Sequence, residues 1–166
     1  MSSNFVLKLR FYKPAKTKKH LYFFLEYCET DLKQYVKGKG GKLSEDEVIN
    51  ILQQICNGFK EVHKKNIIHR DIKPANFLIH KGVIKIADFG FARTVENVEE
   101  LLFLTFLGSP LYMAPQILGK EKFSSKCDIW SLGVTIFEIL YGVPPYNAKN
   151  PKELLENIRK LPLKFP

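Results

Sequence analysis

Two short segments hold side chains that could do chemistry together. The first is His69-Arg70-Asp71-Ile72-Lys73-Pro74-Ala75-Asn76, and the second is Asp88-Phe89-Gly90. Asp71 is a carboxylate able to accept a proton from a hydroxyl nucleophile. Lys73 can set a positive charge beside a group that gains negative charge during transfer. Asn76 and Asp88 offer hard oxygen ligands, which suit a small divalent cation that fills the rest of its shell with water and phosphate oxygens. Together the four outline a magnesium-assisted phosphoryl-transfer site.

Such a site needs elements that bring the two segments together. Residues 77–79 and 83–87 are short apolar runs on either side of His80-Lys81-Gly82, the pattern of a small hairpin. Antiparallel strands set the entry to the first beside the exit from the second, with backbones about 5 Å apart, so Asn76 and Asp88 are expected at one end of the hairpin. Ahead of it lies the clearest helix. Ser44 and Glu47 form an S-x-x-E capping box, followed by Val48, Ile51, Leu52, Ile55, Phe59 and Val62 at helical spacing. Residues 129–141 are apolar on nearly all sides, which marks a central buried helix. Asn150, Pro151 and Glu153 begin another helix with a capping box, running through Leu154, Leu155 and Ile158. At the front, residues 5–12 and 21–27 are rich in aromatic and aliphatic side chains and flank a lysine-rich turn, so they read as two strands of a hairpin. Residues 31–36 read as a short helix closed by Gly38. The expected fold class is α+β, mainly helical with two small hairpins.

The 166 residues are 45% hydrophobic, enough for one domain with its own core. A net charge of +9 leaves an anionic partner open. Lysines cluster at Lys13, Lys16, Lys18 and Lys19 and again at Lys37, Lys39 and Lys42, in stretches without apolar periodicity that read as solvated loops. Nucleic-acid binders interleave such charge with exposed aromatics. Here the aromatics lie in apolar runs expected to be buried, so nucleic acid is not expected as a partner. Cys28, Cys56 and Cys127 are odd in number and in no C-x-x-C pattern, so neither a disulfide framework nor a zinc site is expected, and a reducing, cytoplasmic setting fits best. Neither a signal peptide nor a membrane span is read, since the longest apolar stretch, 129–143, contains Ser131 and Glu138.

In order and separation the two segments resemble the signature of the eukaryotic-type protein kinases, H-R-D-x-x-x-x-N followed by D-F-G. Lys73, two residues after Asp71, resembles the Ser/Thr branch of that family. The resemblance implies a protein-kinase-like fold. Residues 1–28 would be the last strands of a small lobe and the hinge, and residues 29–166 a mainly helical large lobe. It implies ATP and Mg²⁺ as cofactors and transfer of the γ-phosphoryl to Ser or Thr of protein substrates. Asp71 and Lys73 take the catalytic roles, and Asn76 and Asp88 hold the metal. It further implies that Leu25 is the gatekeeper, that the backbone of Glu26 and Cys28 faces adenine, and that Leu78 floors the adenine pocket. Residues 88–115 resemble the activation segment, a long stretch with few secondary-structure signals. Within it Thr105, four residues before Ser109 in the Gly108-Ser109-Pro110 turn, is the expected acceptor of a phosphate from an activating kinase, and Arg70 is its expected partner. Asp128 is implied to brace the backbone of His69 and Arg70, with Phe89, Gly90 and Ser109 in supporting roles. Within the superfamily, DFGFAR and GSPLYMAP look most like the autophagy-initiating Ser/Thr kinases and their relatives.

The resemblance breaks in two places. The glycine-rich strand-turn-strand that opens the family's domain, and the strand lysine paired with a helix glutamate, have no counterpart in these residues. The match is therefore expected to begin part-way through the small lobe and to end before the last helices of the large one. In addition, Gln116 stands where the family has the glutamate of A-P-E, whose arginine partner lies further along, so an ion pair becomes at most a neutral hydrogen bond. Two readings follow: part of an active kinase, or a non-catalytic module that binds a partner through the substrate groove and helical face. The intact Asp71, Lys73, Asn76 and Asp88 favour the first. The missing clamp favours the second for the isolated chain, for which little or no turnover is expected.

Overall fold

A computed structural model describes residues 4–14, 21–96 and 108–166. Along the chain run β1 (Leu9–Pro14), β2 (Leu21–Leu25), β3 (Thr30–Asp31), α1 (Leu32–Gly38), α2 (Glu45–His63), β4 (Ile67–Ile68), β5 (Phe77–His80), β6 (Val83–Ile86), β7 (Arg93–Thr94), α3 (Pro115–Leu118), α4 (Lys126–Tyr141) and α5 (Pro151–Lys160). The strands form three small antiparallel sheets, ordered β1-β2, β3-β5-β6 and β4-β7. The fold is a mixed helical and β arrangement in which the helices carry most of the core, as expected.

The helix α2 is the platform on which the site's hairpin rests. Its capping box is formed, with Glu47 N–H donating to Ser44 Oγ at 3.3 Å and Ser44 N–H donating to Glu47 Oε2 at 3.1 Å. Glu45, Asp46 and Glu47 place negative charge on the positive end of the helix dipole. Val48, Ile51, Ile55, Phe59 and Val62 are buried on one face, against Leu32, Ile72, Phe77, Ile84, Ile86, Leu132 and Ile139. Gly58 lets the helix and β6 approach closely: a Cβ there would lie 2.8 Å from Ile86 Cδ1 and 2.9 Å from the Phe5 carbonyl oxygen. A second core gathers Ile68, Met113, Ile117, Phe123, Cys127 and Leu154, joining α3, α4 and α5. The second hairpin turns at Lys81 and Gly82, both at positive φ, as a two-residue turn between right-twisted strands requires.

Several expectations are corrected. The first front strand is shorter than its apolar run, because residues 5–7 leave β1 and run along the outer edge of β6. There Ile86 N–H donates to the Phe5 carbonyl and Leu7 N–H to the Ile86 carbonyl, each at 2.9 Å. That edge carries unpaired peptide groups, which claim the preceding chain. The aromatics of β1 and β2 are not buried: Phe11, Tyr12 and Phe23 are 55%, 65% and 60% exposed, since a two-stranded sheet packs only where another layer covers it. Asp31 caps α1 from outside, accepting from Gln34 N–H, and the helix runs through Gly38. The helix α4 begins earlier than the apolar pattern, at Lys126, and Ile129 is 49% exposed, so its burial is not all-round. In α5 the Asn150 cap accepts from Glu153 N–H, while the Glu153 carboxylate accepts from Lys149 N–H rather than from the cap residue. No helix among the described residues is long and apolar enough to cross a membrane.

Candidate active site

The loop from His69 to Asn76 links β4 to β5, and Asp88 follows β6 by one residue. The hairpin closes the two segments on each other, with Phe77 opposite Ile86 and Ala87 N–H donating to the Asn76 carbonyl at 2.9 Å. Asn76 and Asp88 therefore emerge at one end of the hairpin, as their spacing predicts.

The loop's conformation is costly and is braced from below. Arg70 has φ 69° and Asp88 has φ 60°, left-handed values that non-glycine residues adopt at a cost. Asp128, fully buried at the start of α4, accepts from His69 N–H and Arg70 N–H, both at 2.8 Å. Burial pushes the Asp128 pKa up, and the same two amides pull against it. His69, also fully buried, is fixed in one tautomer. The Ala87 carbonyl is an acceptor 2.9 Å from Nε2, so Nε2 carries the proton, while Nδ1 accepts from Asp71 N–H at 3.3 Å. The ring packs on Phe89 with centroids 4.8 Å apart. On the far side Asp88 Oδ1 accepts from Gly90 N–H at 3.3 Å.

Asp71 is the centre of the network and is only 4% exposed. Lys73 Nζ lies 2.7 Å from Oδ2, where Asn76 Nδ2 also donates at 2.9 Å while reaching the Asp71 carbonyl at 2.7 Å. Oδ1 accepts from Ser109 N–H at 3.0 Å and from Ser109 Oγ at 2.9 Å, and Ser109 Oγ accepts in turn from Lys73 Nζ at 2.8 Å. Burial works to raise the Asp71 pKa, but hydrogen bonds from Lys73, Ser109 and Asn76 outweigh it and hold the carboxyl below its ordinary range. The result is a carboxylate that stays ionised in a nearly dry setting. Both partners of the Asn76 amide nitrogen are acceptors, so its orientation is fixed and Oδ1 is left for another ligand.

Arg70 sits beside this cluster, with Nε donating to the Phe91 carbonyl at 2.5 Å. Burial, and then the charge of Arg93, lower its pKa. Thr105, its expected phosphate-bearing partner, lies outside the described residues. The hinge candidates stand on another part of the structure. Leu25 ends β2 and is 53% exposed, Glu26 turns its side chain inward, and Cys28 is half-buried, where burial raises its thiol pKa. Leu78 lies opposite Lys85 in the β5-β6 register and is half-buried. Gln116 is exposed and lines a cavity of about 650 Å³ beside α4, together with Trp130 and Phe137.

Three features of the site were not apparent from residue types. Gly108 has φ 113°, and a Cβ there would lie 2.6 Å from the Arg70 carbonyl oxygen, so it lets the chain bring Ser109 against Asp71. Tyr112 anchors the same turn to α4, donating to Glu138 Oε2 at 2.7 Å while its carbonyl accepts from Ser131 Oγ at 2.7 Å. Lys85, an alternating polar residue in a strand pattern, is buried and paired with Glu26. A lysine between two isoleucines gives no local sign of that partner.

The family description for the protein kinase domain matches residues 2–165. This chain belongs to the protein kinase domain family. The kinase domain is 39% identical over 164 residues to serine/threonine-protein kinase ATG1a of Arabidopsis thaliana, covering 95% of this chain and 26% of that protein. It is 38% identical over 151 residues to serine/threonine-protein kinase atg1 of Dictyostelium discoideum, covering 88% of this chain and 22% of that protein. Serine/threonine-protein kinase Nek3 of Mus musculus is 39% identical over 147 residues, covering 87% and 29% respectively. The chain thus spans about a quarter of the length of these curated relatives. Ser/Thr kinases are its relatives, and those bearing the ATG1 name recur among them, in line with the resemblance of DFGFAR and GSPLYMAP.

Proposed function

We propose that the protein transfers the γ-phosphoryl of Mg·ATP to a serine or threonine hydroxyl of protein substrates. The observation that carries this reading is the Asp71 carboxylate, kept ionised while nearly buried, with Lys73 and Asn76 within 3 Å of one oxygen and Ser109 on the other. An ionised acceptor in that position takes the proton of an incoming hydroxyl. Lys73 is the fixed positive charge beside it, placed where negative charge develops. Such a site works by positioning and electrostatics rather than by covalent chemistry.

The donor set fits a magnesium ion. Asn76 Oδ1 remains after the amide nitrogen is committed to Asp71, and Asp88 keeps one carboxylate oxygen after Gly90 is bonded. Two hard oxygen ligands from the protein, with phosphate and water completing the shell, are what Mg²⁺ takes. When bound, the ion neutralises phosphate charge and orients the phosphate chain. In this reading residues 1–28 are the last small-lobe strands and the hinge, and residues 29–166 belong to the large lobe. Leu25, the backbone of Glu26 and Cys28, and Leu78 line the adenine site. Arg70 receives the phosphate of an activated Thr105. The three cysteines stand outside any disulfide, which supports a reducing, cytoplasmic setting.

Calorimetric titration of the native protein with ATP, with and without Mg²⁺, tests the binding half of the proposal. Asp88→Ala should weaken Mg·ATP binding by about tenfold or more while leaving metal-free ATP little changed, because it removes one of few protein ligands. Equal affinity of the variant and the native protein for Mg·ATP would refute the metal assignment.

A further inference from the structure

Lys85 lies on β6 three residues before Asp88 and is 5% exposed, a placement that lysine rarely accepts without a partner. Its Nζ is 3.2 Å from Glu26 Oε1 and donates to the Asn4 carbonyl at 2.8 Å. Glu26 is equally enclosed, with its side chain 8% exposed, and Oε1 also accepts from Lys8 N–H at 2.9 Å. Glu26 N–H returns a bond to the Lys8 carbonyl at 3.0 Å. Exposed Arg10 stands 3.9 Å from Oε2. The register pairs Lys85 with Leu78, so both side chains leave the hairpin on the same face.

These contacts close a ring of three segments. Residues 5–7 are hydrogen-bonded to Ile86 on one side, Lys8 is bonded to Glu26 on the other, and Lys85 spans directly from β6 to Glu26. A buried ion pair is a poor source of net stability, because its desolvation cost offsets the attraction, and an apolar pair of similar volume would serve packing as well. What it adds is direction, since a charged pair with further hydrogen bonds tolerates little displacement.

We infer that the buried Lys85–Glu26 pair is a positioning device that sets the spacing between the hinge and Asp88, and hence between the adenine end and the phosphate end of a bound nucleotide. This inference rests on the nucleotide-binding reading for its consequence, but the mechanical link itself does not. Lys85→Met alone would strand the Glu26 carboxylate, so the informative variant is Lys85→Met with Glu26→Gln. That pair removes both charges and keeps an acceptor for Lys8 N–H.

Two measurements on the native protein and the double variant decide the matter. In hydrogen exchange without ligand, the amides of residues 26–28 and 86–88 should exchange faster in the double variant, by roughly fivefold or more, while buried α2 amides stay unchanged. In titrations, Mg·ATP, which needs both ends of the site, should weaken by roughly fivefold or more relative to adenosine, which needs only the hinge. A merely structural pair would slow or speed exchange everywhere and weaken both ligands alike. Unchanged exchange at residues 26–28 and 86–88 overturns the inference whatever the ligands do. Failure of the native protein to bind either ligand would instead overturn the nucleotide-binding reading, leaving the exchange result to judge the link.

Discussion

Ser109 is joined to Asp71 twice, its backbone N–H and its hydroxyl both donating to Asp71 Oδ1, at 3.0 Å and 2.9 Å. The turn that carries Ser109 is thereby latched to the loop that carries Asp71, although the two are far apart in sequence. Lys73 completes the triangle by donating to the same hydroxyl. The geometry of Asp71 therefore depends on the distant residues of the Gly108-Ser109 turn as well as on its own loop.

Gly108 is the most sensitive of these. Its φ is 113°, and a side chain there would bring its Cβ within 2.6 Å of the Arg70 carbonyl oxygen, which leaves no room for one. Gly108→Ala should lower unfolding stability by about 2 kcal/mol through backbone strain alone. In chemical denaturation a variant as stable as the native protein would show that the turn does not need glycine.

Asp128 holds two amides at the start of the loop from His69 to Asn76. Asp128→Ala leaves the His69 and Arg70 N–H groups without acceptors, at a cost of about 1–3 kcal/mol for each. Chemical denaturation should show a loss in that range. A change under about 0.5 kcal/mol, the scale of ordinary surface substitutions, would mean that the brace is dispensable.

Asp71 makes a prediction about acid. Its folded pKa is depressed, so the stability it contributes is fully present above the unfolded value of about 3.9 and is lost as pH falls through the lower folded value. The stability gap between the native protein and Asp71→Asn should be flat from about pH 7 to pH 5 and shrink below about pH 4. Thermal melts across that range check it; a gap that closes between about pH 7 and pH 5 would mean a raised pKa instead.

Much of the site could be read from residue types. Asn76 and Asp88 emerge at one end of the hairpin that their spacing implies, Asp71, Lys73 and Asn76 meet within one loop, and the Ser44 box starts α2 where expected. What could not be read depends on partners distant in the chain. Lys85 alternates with isoleucines like any half-exposed strand residue, and only the packing of residues 4–8 and Glu26 around it makes it a buried cation. The positive φ of Arg70 is likewise braced by the distant Asp128, which accepts from the His69 and Arg70 amides. The front aromatics misled for the opposite reason: their pattern signals strands correctly, but burial requires a covering layer that periodicity cannot report.

The role proposed for Asp71 is to serve phosphoryl transfer to a hydroxyl. The most direct test is transfer of labelled γ-phosphoryl from Mg·ATP to serine or threonine of a general protein substrate by the protein purified from its native source, compared with Asp71→Asn. Loss of a positioned general base predicts a fall of about 10²-fold or more, with Mg·ATP affinity retained. Equal transfer by the variant, or no transfer by the native protein while it binds Mg·ATP, would contradict that role and point to a binding module instead.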